Sequence, residues 1–229
     1  MKMQEYIEMA SKFFETKSKM ELLKEIQNLK YGEPSRTWKV SDKITIGWED
    51  ILAPPPENDS NWTQRELNAV SSETKNLMSA NLDLIKMVDD DPNHVFEKLQ
   101  KRTHMLSHKE DFKKAWALAK PVIMNLKWKF NRPRPYQLAP LYGIDVNVID
   151  TETHHTPSYP SGHTTQGALM GLILSEYYPE HSPEIFWNIE LVARARVSQG
   201  VHYPSDNEAA MVLASALWLD IKPQIMENN

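Results

Sequence analysis

The stretch PSYPSGHTTQGALMGLILSEYY, residues 157–178, sets a cluster of small and polar residues directly before a strongly apolar run that is compatible with a helix. The same organisation recurs on both sides of it. Trp116, Leu118, Val122, Ile123 and Leu126 describe an apolar helix that runs into Lys127, and Ala209 to Leu219 describes another that follows Asp206. Seven glycines stand beside fifteen prolines, and the prolines cluster while the stretches between them carry helical spacing. Sustained period-2 alternation, hairpin signals and internal repeats are absent. The expectation is an all-α protein, a compact helical bundle.

Further out, Tyr6, Met9, Phe13 and Phe14, then Met20, Leu23, Ile26 and Leu29, predict an amphipathic helix or helix pair. Residues 31–62 break that pattern with Gly32, Pro34, Gly47 and Pro54-Pro55-Pro56, and predict a long connection with a short strand near Lys43 to Trp48. Capping boxes are read at Thr63–Glu66, Ser107–Glu110 and Ser205–Glu208, and cap-proline pairs at Asp91-Pro92 and Ser182-Pro183. The run Asp89 to Asp91 reads as a solvated turn and cap. The expected division is a helical segment and connection over 1–50, packed on the core, and one helical domain over 51–229.

A chain of 229 residues, 41% hydrophobic and 25% charged, can bury a core without staples. It has no cysteine, which excludes disulfides, thiol catalysis and Cys-ligated zinc. A net charge of -5 argues against a nucleic-acid partner. The apolar runs are shorter than the roughly 20 residues of a membrane span, so no transmembrane segment is expected. Met1 to Met20 lacks the layout of a secretory signal. The expected compartment is cytoplasmic, with a trimmed signal left open, as is a homo-oligomer.

Three polar clusters between 127 and 206 carry the chemistry. The first, Lys127 to Pro135, is rich in cations, which alone could complement a helix C-terminus. The second, Pro157 to His163, places small residues at a helix start, where backbone N–H groups and the helix dipole favour an anion; alone it is also an ordinary turn. In the third, Arg194 to Asp206, a carboxylate four residues after His202 could fix the imidazole tautomer and leave the other nitrogen able to attack; alone it is also a structural polar pair. Together they supply cations, a helix N-terminus, one histidine to attack and one to protonate, the parts of a phosphoryl-transfer site.

The spacing Lys127-x6-Arg134-Pro135, then Pro160-Ser161-Gly162-His163, then Arg196-x5-His202-x3-Asp206, resembles the tripartite signature of the type 2 phosphatidic acid phosphatase superfamily. That group includes soluble class A acid phosphatases and vanadium haloperoxidases. Pro54 to Leu67 also resembles a stretch upstream of the site in soluble members. The resemblance implies a helical bundle of the acid phosphatase/haloperoxidase type and a small phosphorylated substrate. It implies a metal-independent phosphatase that hydrolyses phosphomonoesters through a phosphohistidine. Lys127, Arg134, Ser161, Gly162 and Arg196 would hold the phosphate, His202 would attack with Asp206 orienting it, and His163 would serve as general acid and then base. No cofactor is implied, except vanadate under the alternative of a haloperoxidase; a non-catalytic phosphate- or headgroup-binding module is the other alternative. Two opposite protonation requirements predict a bell-shaped rate profile. Ala195 stands where the family usually has Ser, and Ala209 or Ala210 where it commonly has Gly. Lys129, Arg132 and Arg194 are alternative cations. Trp62, Tyr136, His154, His155 and Tyr159 are candidate pocket walls.

Overall fold

The computed structural model describes residues 19–226 except 35, 78 and 152. In chain order its helices are α1 (Lys19–Asn28), α2 (Asn61–Lys75), α3 (Ser79–Asp90), α4 (Asn93–Thr103), α5 (Lys109–Phe130), the short α6 (Pro135–Leu138), α7 (Gly162–Tyr177), α8 (Ser182–Ser198) and α9 (Pro204–Met226). There is no strand among the described residues. Nor is any of their helices long and apolar enough to cross a membrane.

The central element is α7, whose apolar run has no polar face and is therefore surrounded by other helices. It packs against α8, α9, α5 and α4. Close approach to α8 depends on glycine: a Cβ on Gly171 would overlap the Ile189 side chain, and one on Gly167 would press on Val192 at 3.3 Å. The main core lies around this axis, with Phe96, Phe112, Ile123, Leu126, Leu169, Ile173, Leu213 and Leu217 all buried. A smaller cluster, including Leu67, Val70, Leu138 and Tyr203, receives Ile26 from α1.

The expected N-terminal helix is described only from residue 19; Tyr6, Met9, Phe13 and Phe14 lie outside the described residues. Of the apolar positions further on, Ile26 is buried, whereas Met20 and Leu23 are exposed. The connection that follows is tied to the core by side-chain clamps. Asn131 accepts from the Gly32 N–H at 3.2 Å and donates to its carbonyl at 2.7 Å. Asn125 does the same for Trp38, at 3.4 and 2.8 Å.

The strand expected near Lys43 to Trp48 does not form. The Thr45 and Ile46 N–H groups donate instead to the Asp220 carboxylate on α9, at 2.5 and 2.8 Å, so no partner strand is needed to satisfy them. Three helix starts also differ from their predicted boxes. The cap of α2 is Ser60, which accepts from the Thr63 N–H at 3.1 Å, and this frees Glu66 to turn inward. α5 starts at Lys109 with no side-chain cap, and Glu110 pairs with Lys113 at 2.8 Å. α9 starts at Pro204, and Asp206 rather than Ser205 caps it by accepting from the Tyr203 N–H at 3.0 Å. At Ser182-Pro183 the proline sits in the first turn as expected, but Ser182 Oγ donates to the Pro179 carbonyl. Asp91 does accept from the Asn93 N–H at 2.9 Å.

Candidate functional site

Three helix ends converge on the site. The last turn of α5 carries Lys127, and Asn131, in the left-handed region at φ 49°, ends the helix and turns the chain. The extended residues beyond it send Arg132 and Arg134 into different buried surroundings. Ser161 caps α7, accepting from the Thr164 N–H at 3.4 Å, and puts Gly162 and His163 in the first turn. Gly162 lies against the Lys127 stem, since a Cβ there would sit 3.7 Å from its Cε. Arg196 occupies the last turn of α8; Gly200, at φ 82° with Val146, Thr74 and Val148 crowding its α-carbon, makes the reversal that delivers His202 and Asp206.

The residues of the tripartite spacing, from Lys127 and Arg134 through Ser161 to His163 and on to Arg196, His202 and Asp206, are brought into this cluster; the alternative cations are not. His202 Nδ1 lies 2.9 Å from Asp206 Oδ2, and Arg134 Nη1 lies 2.9 Å from Nε2. A carboxylate accepts and a guanidinium donates, so the proton sits on Nδ1, and Nε2 is unprotonated with its lone pair accepting from Arg134. Arg134 is braced by the carbonyls of Val201 and Thr156 at 2.7 and 2.8 Å. Lys127 Nζ donates to the Pro157 and Ser158 carbonyls at 2.6 and 3.2 Å. The Ser161 N–H donates to the Asp206 carbonyl at 3.0 Å, which ties the second motif to the third.

Two carboxylates that sequence reasoning missed complete the arrangement. Asp89, read as solvated, is buried: its Oδ1 accepts from Arg196 Nη1 at 2.6 Å and from Thr153 and Gln199, while its carbonyl faces His163 Nε2 at 3.2 Å. Its signal was its position four residues after the buried Ile85, on the same helix face. Glu66 accepts from Arg132 Nη2 at 3.0 Å and from the Ser205 N–H at 2.7 Å. Thr63, Glu66, Leu67 and Val70 form a buried stripe that could have shown it. Arg132, offered as an alternative phosphate cation, is instead spent on Glu66 and on Asp206 Oδ1 at 2.7 Å. Lys129 is exposed beside Glu49 and Asp50. Arg194 lines a separate groove with Glu73, Glu190 and Glu208.

Of the expected pocket walls, Tyr159 belongs to the core, edge-on to Phe130 and donating to the Ala53 carbonyl at 2.8 Å. Trp62 is exposed at the start of α2, and His155 is exposed next to the buried His154. The Tyr31 and Tyr136 hydroxyls approach the His154 carbonyl at 3.2 and 3.5 Å. Ala195, Ala209 and Ala210 are buried packing positions.

Three cations, Lys127, Arg134 and Arg196, are thus buried close enough to disfavour one another's charge. Burial, then Arg134, pushes the Lys127 ammonium well below its ordinary value. Burial also pulls Arg196 down to about 10 against the support of Asp89. His202 is driven well down by burial and then by Arg134, and His163 by burial and then by Arg196. Arg196 Nε is buried with no hydrogen-bond partner. A donor left over in a cation-rich pocket is matched by an acceptor, whether water or the oxygen of an anion. No group of three His, Asp or Glu side chains among the described residues converges as a metal site.

These shifts set the acid limit of the fold. Burial alone would raise the Asp89 carboxyl, but the Arg196 and Thr153 hydrogen bonds override it and hold it at about 2. Its folded value is below the unfolded one, so its stabilisation is present above the ordinary carboxylate range and is lost as pH falls towards 2. His154, lowered to about 4 by burial and then Arg134, stays neutral while the unfolded chain takes up a proton. Stability is therefore expected to fall as pH drops from the ordinary histidine value towards 4. The fall should be shallower in His154→Gln by up to one bound proton, as read from melting curves across that range.

The chain matches the PAP2 superfamily over residues 115–229. It is 37% identical over 91 residues to a non-specific acid phosphatase of Providencia stuartii, a match covering 39% of this chain and 36% of the relative. To an acid phosphatase of Zymomonas mobilis it is 41% identical over 58 residues, 25% of this chain and 22% of that one. The matched stretches thus span about a third or less of these relatives' length. In structure the chain is similar to a transmembrane PAP2 type phosphatidylglycerolphosphate phosphatase from Bacillus subtilis. The TM-score is 0.51 at 16% identity, over 75% of this chain and 90% of that one, a likeness of fold. The family match runs from α5 to the C-terminus and takes in all three motifs of the site: this chain belongs to the PAP2 superfamily.

Proposed function

We propose that the protein is a phosphatase that hydrolyses phosphomonoesters through a phosphohistidine on His202, without a metal. The observation that carries this reading is the His202 imidazole, held by Asp206 with its Nε2 lone pair turned towards Arg134 in a pocket of buried cations. The named acid phosphatase relatives support the reaction class.

In the first step Nε2 attacks phosphorus and the bond to the leaving oxygen breaks, while Lys127, Arg134 and the free Nε of Arg196 take the charge on the equatorial oxygens. His163 gives a proton to the leaving oxygen. Because the Asp89 carbonyl can only accept, His163 Nε2 keeps its proton and Nδ1 is the nitrogen that exchanges one. A phosphate dianion beside these histidines opposes the neighbouring cations, which raises His163 into the range of a general acid. In the second step Nδ1 takes a proton from water, the hydroxide attacks phosphorus, and the P–N bond breaks to release phosphate and restore His202.

The test is hydrolysis of a chromogenic phosphomonoester by chelator-treated protein. Activity that survives chelation, is competitively blocked by vanadate and follows a bell-shaped pH profile supports the reading. Loss on chelation that a divalent cation restores would overturn metal independence, and a flat profile would overturn the two-histidine mechanism.

A further inference from the structure

The helices α7 and α9 are both apolar over most of their circumference, but of the two α7 alone is enclosed by its neighbours. α9 is apolar inward, through Leu213, Leu217 and Ile221, and largely apolar outward as well. Its outward positions between Glu208 and Lys222 are Met211, Val212, Ser215, Ala216, Leu219 and Asp220. Asp220 is turned aside to the Thr45 and Ile46 N–H groups, so this stretch presents no free charge. Leu219 is 71% exposed and Val212 54%. Single apolar side chains on a surface are ordinary, but a helix that is apolar on both sides calls for cover on both.

The order of residues along this face says what covers it. Ser215 and Ala216, at its middle, are small enough for another helix to approach closely. Met211 and Leu219 each stand four residues from Ser215, and Glu208 and Lys222 each stand seven. Turned end for end about Ser215, the face therefore meets itself: Met211 comes opposite Leu219, and Glu208 opposite Lys222. That is the self-complementarity of a two-fold contact. Both charges are at the surface to take part. Glu208 is exposed on the rim of a groove that Glu73, Glu190 and Arg194 also line, and Lys222 is held outside by Glu176 at 2.6 Å. The three glutamates of that rim oppose an anionic lipid surface, which would draw on cations around an apolar face.

We propose that the outward face of α9 is an interaction surface for a second copy of this chain, packed antiparallel about a two-fold axis at Ser215. Met211 then rests on the partner's Leu219, and Glu208 pairs with the partner's Lys222. Phe186, exposed on α8 one turn before Glu190, extends the apolar surface beside the groove. The inference is independent of the phosphatase reading. One helix face lies at the small end of specific interfaces, so the dimer should form in the micromolar range.

The full chain is followed by sedimentation velocity up to about 100 μM, which reaches affinities of that order. Wild type is expected to pass from monomer to dimer. Leu219→Lys should stay monomeric. Glu208→Lys, which sets a lysine against the partner's Lys222 at both ends of the seam, should weaken association about tenfold. All these positions face solvent, so the fold should be kept. Because the chain has no cysteine, Ser215→Cys reports the axis directly. Two helices packed at about 8–10 Å bring both copies of that residue within disulfide reach. Mild oxidation should link Ser215→Cys into a covalent dimer and leave Ser182→Cys, exposed at the start of α8, unlinked. A wild type that stays monomeric throughout, a dimer that survives Leu219→Lys or Glu208→Lys unchanged, or equal linking of the two cysteine variants overturns the proposal. A monomer that binds vesicles of zwitterionic lipid, with binding lost in Leu219→Lys, overturns it too and assigns the face to a membrane.

Discussion

Replacing His202 by alanine is expected to lower phosphomonoester turnover by at least about 10⁴-fold, the size of loss seen when a covalent nucleophile is removed. The fold should survive the change. Asp206 keeps two of its partners, with Oδ1 on Arg132 at 2.7 Å and Oδ2 accepting from the Tyr203 N–H at 3.0 Å, so no charge is stranded when the imidazole goes. Activity and melting should therefore separate: little turnover, and a midpoint within a few degrees of wild type. A purified, folded variant that keeps more than about a hundredth of wild-type turnover would remove His202 from the nucleophile's role. Asp206→Asn should also be severely impaired. An amide presenting its NH2 to Nδ1 favours the tautomer with the proton on Nε2, and that nitrogen then cannot attack.

The second large effect is expected at Arg132, far from solvent and hydrogen-bonded to none of Lys127, Arg134 and Arg196. Its guanidinium bridges Glu66 at 3.0 Å and Asp206 at 2.7 Å, donates to Ser205 Oγ at 2.8 Å and lies 3.8 Å over the Tyr203 ring. Both carboxylates are buried, so Arg132→Met leaves two buried negative charges without their shared counter-ion. Breaking such a pair by removing one partner costs about 3–5 kcal/mol. For a chain of this length that lowers the melting midpoint by roughly 10 °C. Glu66→Gln keeps the shape and still accepts from the Ser205 N–H, and should lose less. The kinetic readout distinguishes positioning from simple destabilisation. On the proposed mechanism, below the melting range Arg132→Met should lower kcat with KM nearly unchanged, because Asp206 no longer holds the imidazole in register while Lys127, Arg134 and Arg196 are untouched. A variant that melts early but turns over normally would make Arg132 structural only.

The three motifs were legible because each lies within a few residues of a helix end. His202 and Asp206 are four apart across the start of α9, Ser161 to His163 span the first turn of α7, and Lys127 and Arg134 flank the turn that Asn131 makes. Local backbone geometry, which spacing reports directly, places each group. The counter-ions were not legible for the converse reason. Arg196 meets Asp89 across 107 residues, and Arg132 meets Glu66 across 66. No local period encodes such a meeting, and at sequence level a carboxylate near a helix end reads as a cap or as solvated. Glu66 stands three residues after Thr63, the spacing of a capping box that the Ser60 cap makes unnecessary, and Asp89 opens an acidic run that has the composition of a surface turn. The strand near Thr45 failed similarly, since the acceptor for its N–H groups, Asp220, comes from the far end of the chain.

By itself, then, the sequence determined that the chain is all helical, that α7 is apolar enough to sit at its centre, and that cations, two histidines and an aspartate stand at helix ends. Those follow from hydrophobic period, from proline and glycine placement and from spacing along one backbone. Only the tertiary structure decided which arginines meet a buried carboxylate, Arg132 on Glu66 and Asp206 and Arg196 on Asp89. Of two arginines only two residues apart, Arg132 reaches the buried Glu66 and Asp206 carboxylates, whereas Arg134 meets backbone carbonyls and His202. A charge taken out of water must be matched at close range, and only the packed helices set those distances.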